Sequence, residues 1–231
     1  MATAFIAGAA SPLGQALAMS LSSQGVACIA HVRADSGAHK TWEQKFTHKR
    51  VRVDFSPWIQ RALFDLMQNM QPTHVFSVLP STPERLMILQ AQGVGVENYE
   101  ETNFKFTNML VDAVVTSQIQ SHFVYLRPAG ATGQYAQAMD RAEQKIKISG
   151  LPYTIVHAPP VDEMQGNNKL AVLRAARKVA DALWWTTGLL GLSELRARKM
   201  SIPAATLARR VVDQAVGSSE GRVVMRAGDF H

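Results

Sequence analysis

Short apolar runs alternate along the chain with longer stretches in which apolar residues recur at helical spacing. TAFIAGA (3–9), VACIAHVR (26–33), KRVRVDF (49–55), THVFSVLP (73–80), SHFVYLRP (121–128) and PYTIVHAP (152–159) predict six strands. Between them, PLGQALAMSLSSQG (12–25) predicts a helix with Leu13, Leu17 and Leu21 on one side and Gly25 closing it. SPWIQRALFDLMQNM (56–70) predicts another, with Ser56 as N-cap and Pro57 at the first helical position. NFKFTNMLVDAVVTSQ (103–118) and AQAMDRAEQKIKISG (136–150) complete the set. This alternation argues for an α/β fold, a Rossmann-type doubly wound and mostly parallel sheet in one domain spanning 1–231. After about residue 160 the rhythm changes to a helix (NKLAVLRAARKVADALWW), a Gly-interrupted stretch and a second helix (SIPAATLARRVVDQAV). That part predicts a small helical region covering the substrate side.

Composition narrows the picture in three ways. Of 231 residues, 47% are hydrophobic and 18% charged, enough apolar material for a full core. The single cysteine, Cys28, excludes an internal disulfide and a cysteine-rich metal site, and its apolar surroundings place it in a buried strand. The net charge of +6 suits anionic ligands. No basic run interleaved with aromatics argues for nucleic acid, and ALWWTTGLLGL (182–192) is too short to span a bilayer. With no secretory pattern at the N-terminus, the expectation is a cytoplasmic protein without a membrane partner.

The most informative stretch is FIAGAASPLGQALA (5–18). Gly8, Ser11 and Gly14 occupy the three glycine positions of a strand–turn–helix that cradles a dinucleotide pyrophosphate on the helix N-terminus. Ala10, Pro12 and Leu13 fill the turn between them. The middle position is serine, whose hydroxyl could donate to a phosphate oxygen. The bland alternative is a turn of small residues without a ligand. Where an acidic residue would favour NAD, the second strand ends in Arg33, whose guanidinium fork suits a 2′-phosphate. The expectation is NADP(H) in preference to NAD(H), set against Arg33 as a solvated surface residue and against Asp35 two positions on. Asp54, ending the third strand, is placed either for the adenine edge or to cap the helix near Pro57. Leu79, Pro80 and Pro159, at the ends of the fourth and sixth strands, complete the expected cofactor set.

FIAGAASPLG, HVR, VRVDF, NFKFTNMLVDAV, HFVYLRPAGA, YAQAMDRAEQKIKISGLPYTIVHAPP and SIPAATLARRVV, in that order, resemble the atypical short-chain dehydrogenase/reductases. Within these the chain is most similar to the NmrA-like and Tat-interacting-protein-like NAD(P)H-binding proteins, over about residues 3 to 215. The resemblance implies an oxidoreductase in which a serine after the fifth strand and a Tyr-x-x-x-Lys pair on the next helix carry the proton chemistry. Here Arg127 and Pro128 replace the serine context, Tyr135 is present, and Met139 stands at the lysine position. His157 stands where the family usually has arginine. The resemblance leaves open an enzyme with a different acid, Tyr135, His157 or Arg127, and a catalytically silent NADP(H)-sensing regulator or scaffold. Tyr135 reads equally as a pocket wall, and His31, His122 and His157 as structural strand histidines. A nucleotide-sugar epimerase is the third reading, and the short C-terminal part argues against it.

In the C-terminal part, Trp184, Trp185, Leu189, Leu190 and Leu192 read either as an apolar lid over a small-molecule substrate or as a helix-packing or homodimer surface. Arg196, Arg198, Lys199, Arg209 and Arg210 read as a solvated face, with an acidic or regulatory protein partner as the alternative.

Overall fold

A computed structural model describes residues 2–33, 39–47, 51–79, 99–161, 201–217 and 221–230. Its strands are β1 (Thr3–Ala7), β2 (Ala27–His31), β3 (Val51–Asp54), β4 (His74–Ser77), β5 (His122–Pro128), β6 (Tyr153–Ala158) and β7 (Arg222–Met225). They form one parallel sheet in the order β3-β2-β1-β4-β5-β6-β7. Chain order reverses direction at β1, which pairs with β2 on one side and β4 on the other. The described helices are α1 (Pro12–Ser23), α2 (His39–Thr47), α3 (Gln60–Met70), α4 (Phe106–Thr116), α5 (Gly133–Ile148) and α6 (Ala204–Gly217). A π-helical turn, Glu101–Lys105, leads into α4.

Successive strand residues alternate between the two faces of the sheet. Ala4, Ile6, Cys28, Ala30, Val124, Leu126 and Val156 meet α1 and α6, which also pack on each other. Phe5, Ala7, Ile29, Val75, Phe123, Tyr125 and Ile155 meet α3, α4 and α5. Both faces are covered by helices, so the strands must be apolar at consecutive positions, which is why they read as runs in the sequence. On α1 the buried stripe is Leu13, Gly14, Leu17, Ala18 and Leu21. Burial of Leu17 and Leu21 contributes about 2 kcal/mol each. The Cys28 thiol lies in this core as expected, and burial pushes its pKa up to about 12.

The sequence pattern misplaces the start of α3. The helix begins at Gln60 with Ile59 as a cap that makes no side-chain hydrogen bond. Ser56 cannot serve as N-cap because Asp54 holds it: the Asp54 carboxylate accepts the Ser56 amide at 3.2 Å and its hydroxyl at 2.9 Å. Asp54 therefore closes a turn and does not cap a helix at Pro57. The helix expected over 136–150 begins earlier, at Gly133. Three described elements were not predicted: α2, β7 and a short 3-10 helix, Ala227–Phe230. α2 is almost wholly polar and is anchored by the fully buried Phe46 beside Trp42. β7 is four residues long and forms one edge of the sheet. The helix expected over 168–185, and Trp184, Trp185, Leu189, Leu190 and Leu192 after it, fall outside the described residues. No described helix is long and apolar enough to cross a membrane.

Candidate cofactor and active site

The turn after β1 is built by steric necessity. Gly8 has a φ of +87°, and a Cβ there would lie 2.7 Å from the Val78 carbonyl oxygen at the end of β4. A Cβ on Gly14 would lie 2.3 Å from the Gly8 carbonyl oxygen and 2.7 Å from Ala9 Cα. Glycine at both positions lets β1, β4 and α1 approach this closely. Ser11 is the N-cap of α1, with Pro12 opening the helix. Its Oγ accepts the Gly14 amide at 2.9 Å and donates to the Gly8 carbonyl at 2.8 Å. The hydroxyl proton is thus used inside the turn, not held out for a phosphate as the sequence suggested. Open donors remain in the backbone. Among the described residues, the amides of exposed Ala10 and of Leu13 donate to no acceptor. They lie at the positive end of the α1 dipole, and together with the glycine-enforced closeness they fit a pyrophosphate.

The end of β2 is tied to this turn, since the Ala9 amide donates to the His31 carbonyl at 3.2 Å. The His31 ring is buried, 2.9 Å from the Ser56 carbonyl and edge-on to Trp58 at 4.7 Å. Burial holds its pKa below the usual imidazole value, against the opposing pull of the Ser56 carbonyl and the Asp54 charge. His31 is structural, as expected. Arg33 is exposed two residues beyond β2, at the C-terminal edge of the sheet. Asp54 lies at the same edge with its carboxylate committed to Ser56. Leu79 is half-buried against the α3–α4 side, Pro159 is buried, and Pro80 falls outside the described residues.

Beyond the switch point, α5 faces the ends of β5 and β6. Tyr135 sits in its first turn, half-buried, with its ring 4.9 Å from that of Tyr99. Met139, one turn on, is fully buried. That position faces the interior and supplies no charge to Tyr135. Arg127 is the penultimate residue of β5 and is 8% exposed. Its Nη1 donates to Asp140 Oδ1 at 2.6 Å and to Glu143 Oε2 at 3.1 Å. Glu143 Oε2 also meets His157 Nε2 at 2.9 Å, and Glu143 Oε1 accepts from Lys147 Nζ at 2.6 Å. Burial alone would raise the Glu143 pKa, but the hydrogen bonds from His157 and Lys147 bring it down to about 2. Arg127 and His157 are register partners across β5 and β6. His157 is therefore no isolated strand histidine, whereas His122 is held on Thr154 at 2.9 Å inside the sheet. Tyr125, two residues before Arg127 on the same face, is fully buried, and its hydroxyl has no hydrogen-bond partner among the described residues. Asp140, Glu143 and Lys147 were missed from the sequence. Their spacing on α5 places them along one side, but only the docking of that side on β5 and β6 reveals their partners. Of the basic cluster near the C-terminus, Arg210 is turned onto the Asp229 carbonyl at 3.0 Å and Arg209 lies 3.9 Å from Asp213, while Arg196, Arg198 and Lys199 fall outside the described residues.

No family model matches the sequence, and no curated protein matches it. Solved structures do match in fold. The NAD+ complex of the Bordetella bronchiseptica enzyme WbmH superposes with a TM-score of 0.63 at 15% identity, over 98% of this chain and 75% of that one. An oxidoreductase of the short-chain dehydrogenase/reductase family from Burkholderia thailandensis gives 0.61 at 14%, over 99% and 92%. What these two share with this chain is the fold. A UDP-N-acetylglucosamine 4-epimerase from Bacillus cereus shares it, at 0.61 and 12%, over 98% and 79%. At these identities the likeness is one of architecture: the same Rossmann-like arrangement of parallel strands and flanking helices.

Proposed function

We propose that this protein binds NADP(H) in preference to NAD(H) and is an oxidoreductase of the atypical short-chain dehydrogenase/reductase type, most like the NmrA-like and Tat-interacting-protein-like members. The observation that carries the reading is the Gly8–Gly14 turn at the switch point, with the Ala10 and Leu13 amides open at the α1 N-terminus. The Ala10 and Leu13 amides would hold the pyrophosphate, on the turn that Gly8, Ser11, Pro12 and Gly14 shape. Arg33 would take the 2′-phosphate, and Asp54 would stand beside the adenine. Leu79, Pro80 and Pro159 would wall the site. Bound there, the cofactor supplies a hydride for a small-molecule carbonyl substrate.

A specific observation favours a second reading, a catalytically silent NADP(H)-responsive regulator. Met139 is buried where the resemblance calls for a lysine, and Arg127 is locked onto Asp140 and Glu143. One titration separates the readings: NADPH and NADH followed by tryptophan-to-nicotinamide fluorescence, for the natural protein and for Arg33→Ala, with NADPH oxidation monitored against a panel of aldehydes and quinones. Tight NADPH binding, weakened in Arg33→Ala and accompanied by turnover, supports the enzyme. The same binding without turnover supports the regulator. No binding of either dinucleotide removes both.

A further inference from the structure

We propose that His157, held by Glu143, is the proton-transferring residue of this site. The proposal rests on the nicotinamide-cofactor reading above and goes beyond it by naming the acid. His157 lies at the C-terminal edge of β6, beside Arg127 at the end of β5. In a doubly wound sheet that edge faces the ligand. The imidazole is 34% exposed, while the Glu143 that holds it is 12% exposed. Its Nε2 is engaged with Glu143, and no described residue bonds Nδ1. This is a carboxylate–imidazole dyad. The Nε2–H donates to the carboxylate, so the neutral ring carries its lone pair on Nδ1 and the protonated ring offers its second proton there.

Among the described residues, other charged groups meet the Glu143 that holds the ring. Arg127 from β5 and Lys147 from α5 each hold one oxygen of Glu143, and Arg127 Nη1 is shared with Asp140. Arg127 and Glu143 are therefore positioning residues. They fix a carboxylate that stays ionised at neutral pH and so fix the tautomer of His157. Tyr125 from β5 is sealed, with burial pushing its hydroxyl away from ionisation. The rival donors are weaker. Tyr135 has Met139 where a cation would activate it. A guanidinium is a poor proton donor, and Arg127 is already paired.

The substrate carbonyl is that of an aldehyde or ketone. A hydride from the reduced nicotinamide dinucleotide bonds to the carbonyl carbon, and the C–O π electrons move to oxygen. That oxygen takes the Nδ1 proton of the His157 imidazolium, giving an alcohol. Neutral His157 is then reprotonated by solvent.

The test compares the natural protein with His157→Gln and His157→Gly. It reads NADPH binding by fluorescence, reduction of para-nitrobenzaldehyde from mildly acid to mildly alkaline pH, and the nitrogen NMR spectrum of the imidazoles. The expected result is equal NADPH binding by all three and a loss of about 100-fold or more in aldehyde reduction in His157→Gln. The pH profile of the natural rate differs from that of His157→Gln. Free imidazole restores rate to His157→Gly, which a merely structural role would not allow. The neutral His157 ring shows the Nε2–H tautomer. NADPH binding without aldehyde reduction in the natural protein overturns the proposal, as does a His157→Gln rate within about threefold of natural or an Nδ1–H tautomer. Failure to bind NADPH at all overturns the cofactor reading, and the proposal with it.

Discussion

Ser11 closes the first turn of α1 on Gly14, accepting its amide at 2.9 Å while donating to the Gly8 carbonyl at 2.8 Å. One hydroxyl thus satisfies an orphan helix amide and staples the β1–α1 turn. Ser11→Ala is expected to lower unfolding free energy by about 1 kcal/mol, and Ser11→Gly by only a few tenths. Urea denaturation of the two variants checks this. Equal losses would mean that the cap contributes nothing beyond chain flexibility.

Gly14 should tolerate no side chain. A Cβ there lies 2.3 Å from a backbone oxygen, which cannot rotate away as a side-chain tip would. Gly14→Ala gains helix propensity, yet the overpacking outweighs it, with an expected loss of about 1–3 kcal/mol. Thermal melts that show Gly14→Ala more stable than the natural protein would refute the close approach of α1 to the turn.

Removing Arg127 leaves the Glu143 carboxylate, 12% exposed, with only His157 and Lys147 to compensate it. Arg127→Met is expected to cost about 3 kcal/mol, the lower end for breaking a buried pair, because those two partners remain. The readout is the denaturation midpoint. A change below about 0.5 kcal/mol would place the network among the weak surface pairs.

Acid should destabilise the fold in two stages. Burial lowers the pKa of His31 and of His74 below the ordinary 6.5. Below 6.5 the unfolded chain binds protons on these rings that the folded chain refuses, so stability falls as pH falls. Glu143 acts later. Its folded pKa of about 2 lies below the ordinary 4.5, so its contribution is complete above 4.5 and is lost as pH drops toward 2. Melting temperatures from about pH 7.5 down to about pH 5 are expected to decline, and a flat or rising trend contradicts the histidine assignment.

Cys28 should be inert in the folded protein. It is 2% exposed, and its thiol is pushed up to about 12, so neither access nor thiolate is available to a reagent at neutral pH. A chromogenic disulfide reagent is expected to report no reaction until denaturant is added. Rapid reaction of the native protein would show that β2 opens.

The sequence by itself determined strands β1 to β6, the β1–α1 turn and the α/β alternation. These rest on local rules: a strand covered on both faces must be apolar throughout, and a turn pressed between two backbones admits only glycine. It determined α2 and β7 poorly, because Trp42 and Phe46 are too few to make a period and a four-residue edge strand carries almost no pattern. The start of α3 was decided by one side chain, Asp54, which competes locally for Ser56. Only the tertiary structure decided that the Ser11 hydroxyl turns inward and that His157 has a carboxylate partner. Arg127, Glu143 and His157 lie on β5, α5 and β6, and nothing in their spacing encodes contact. Parallel pairing sets Arg127 beside His157, and the docking of α5 on that face brings Glu143 to both. Strand register and helix docking are long-range outcomes of burying two apolar faces at once, so the charged cluster at the sheet edge follows from packing and not from sequence proximity.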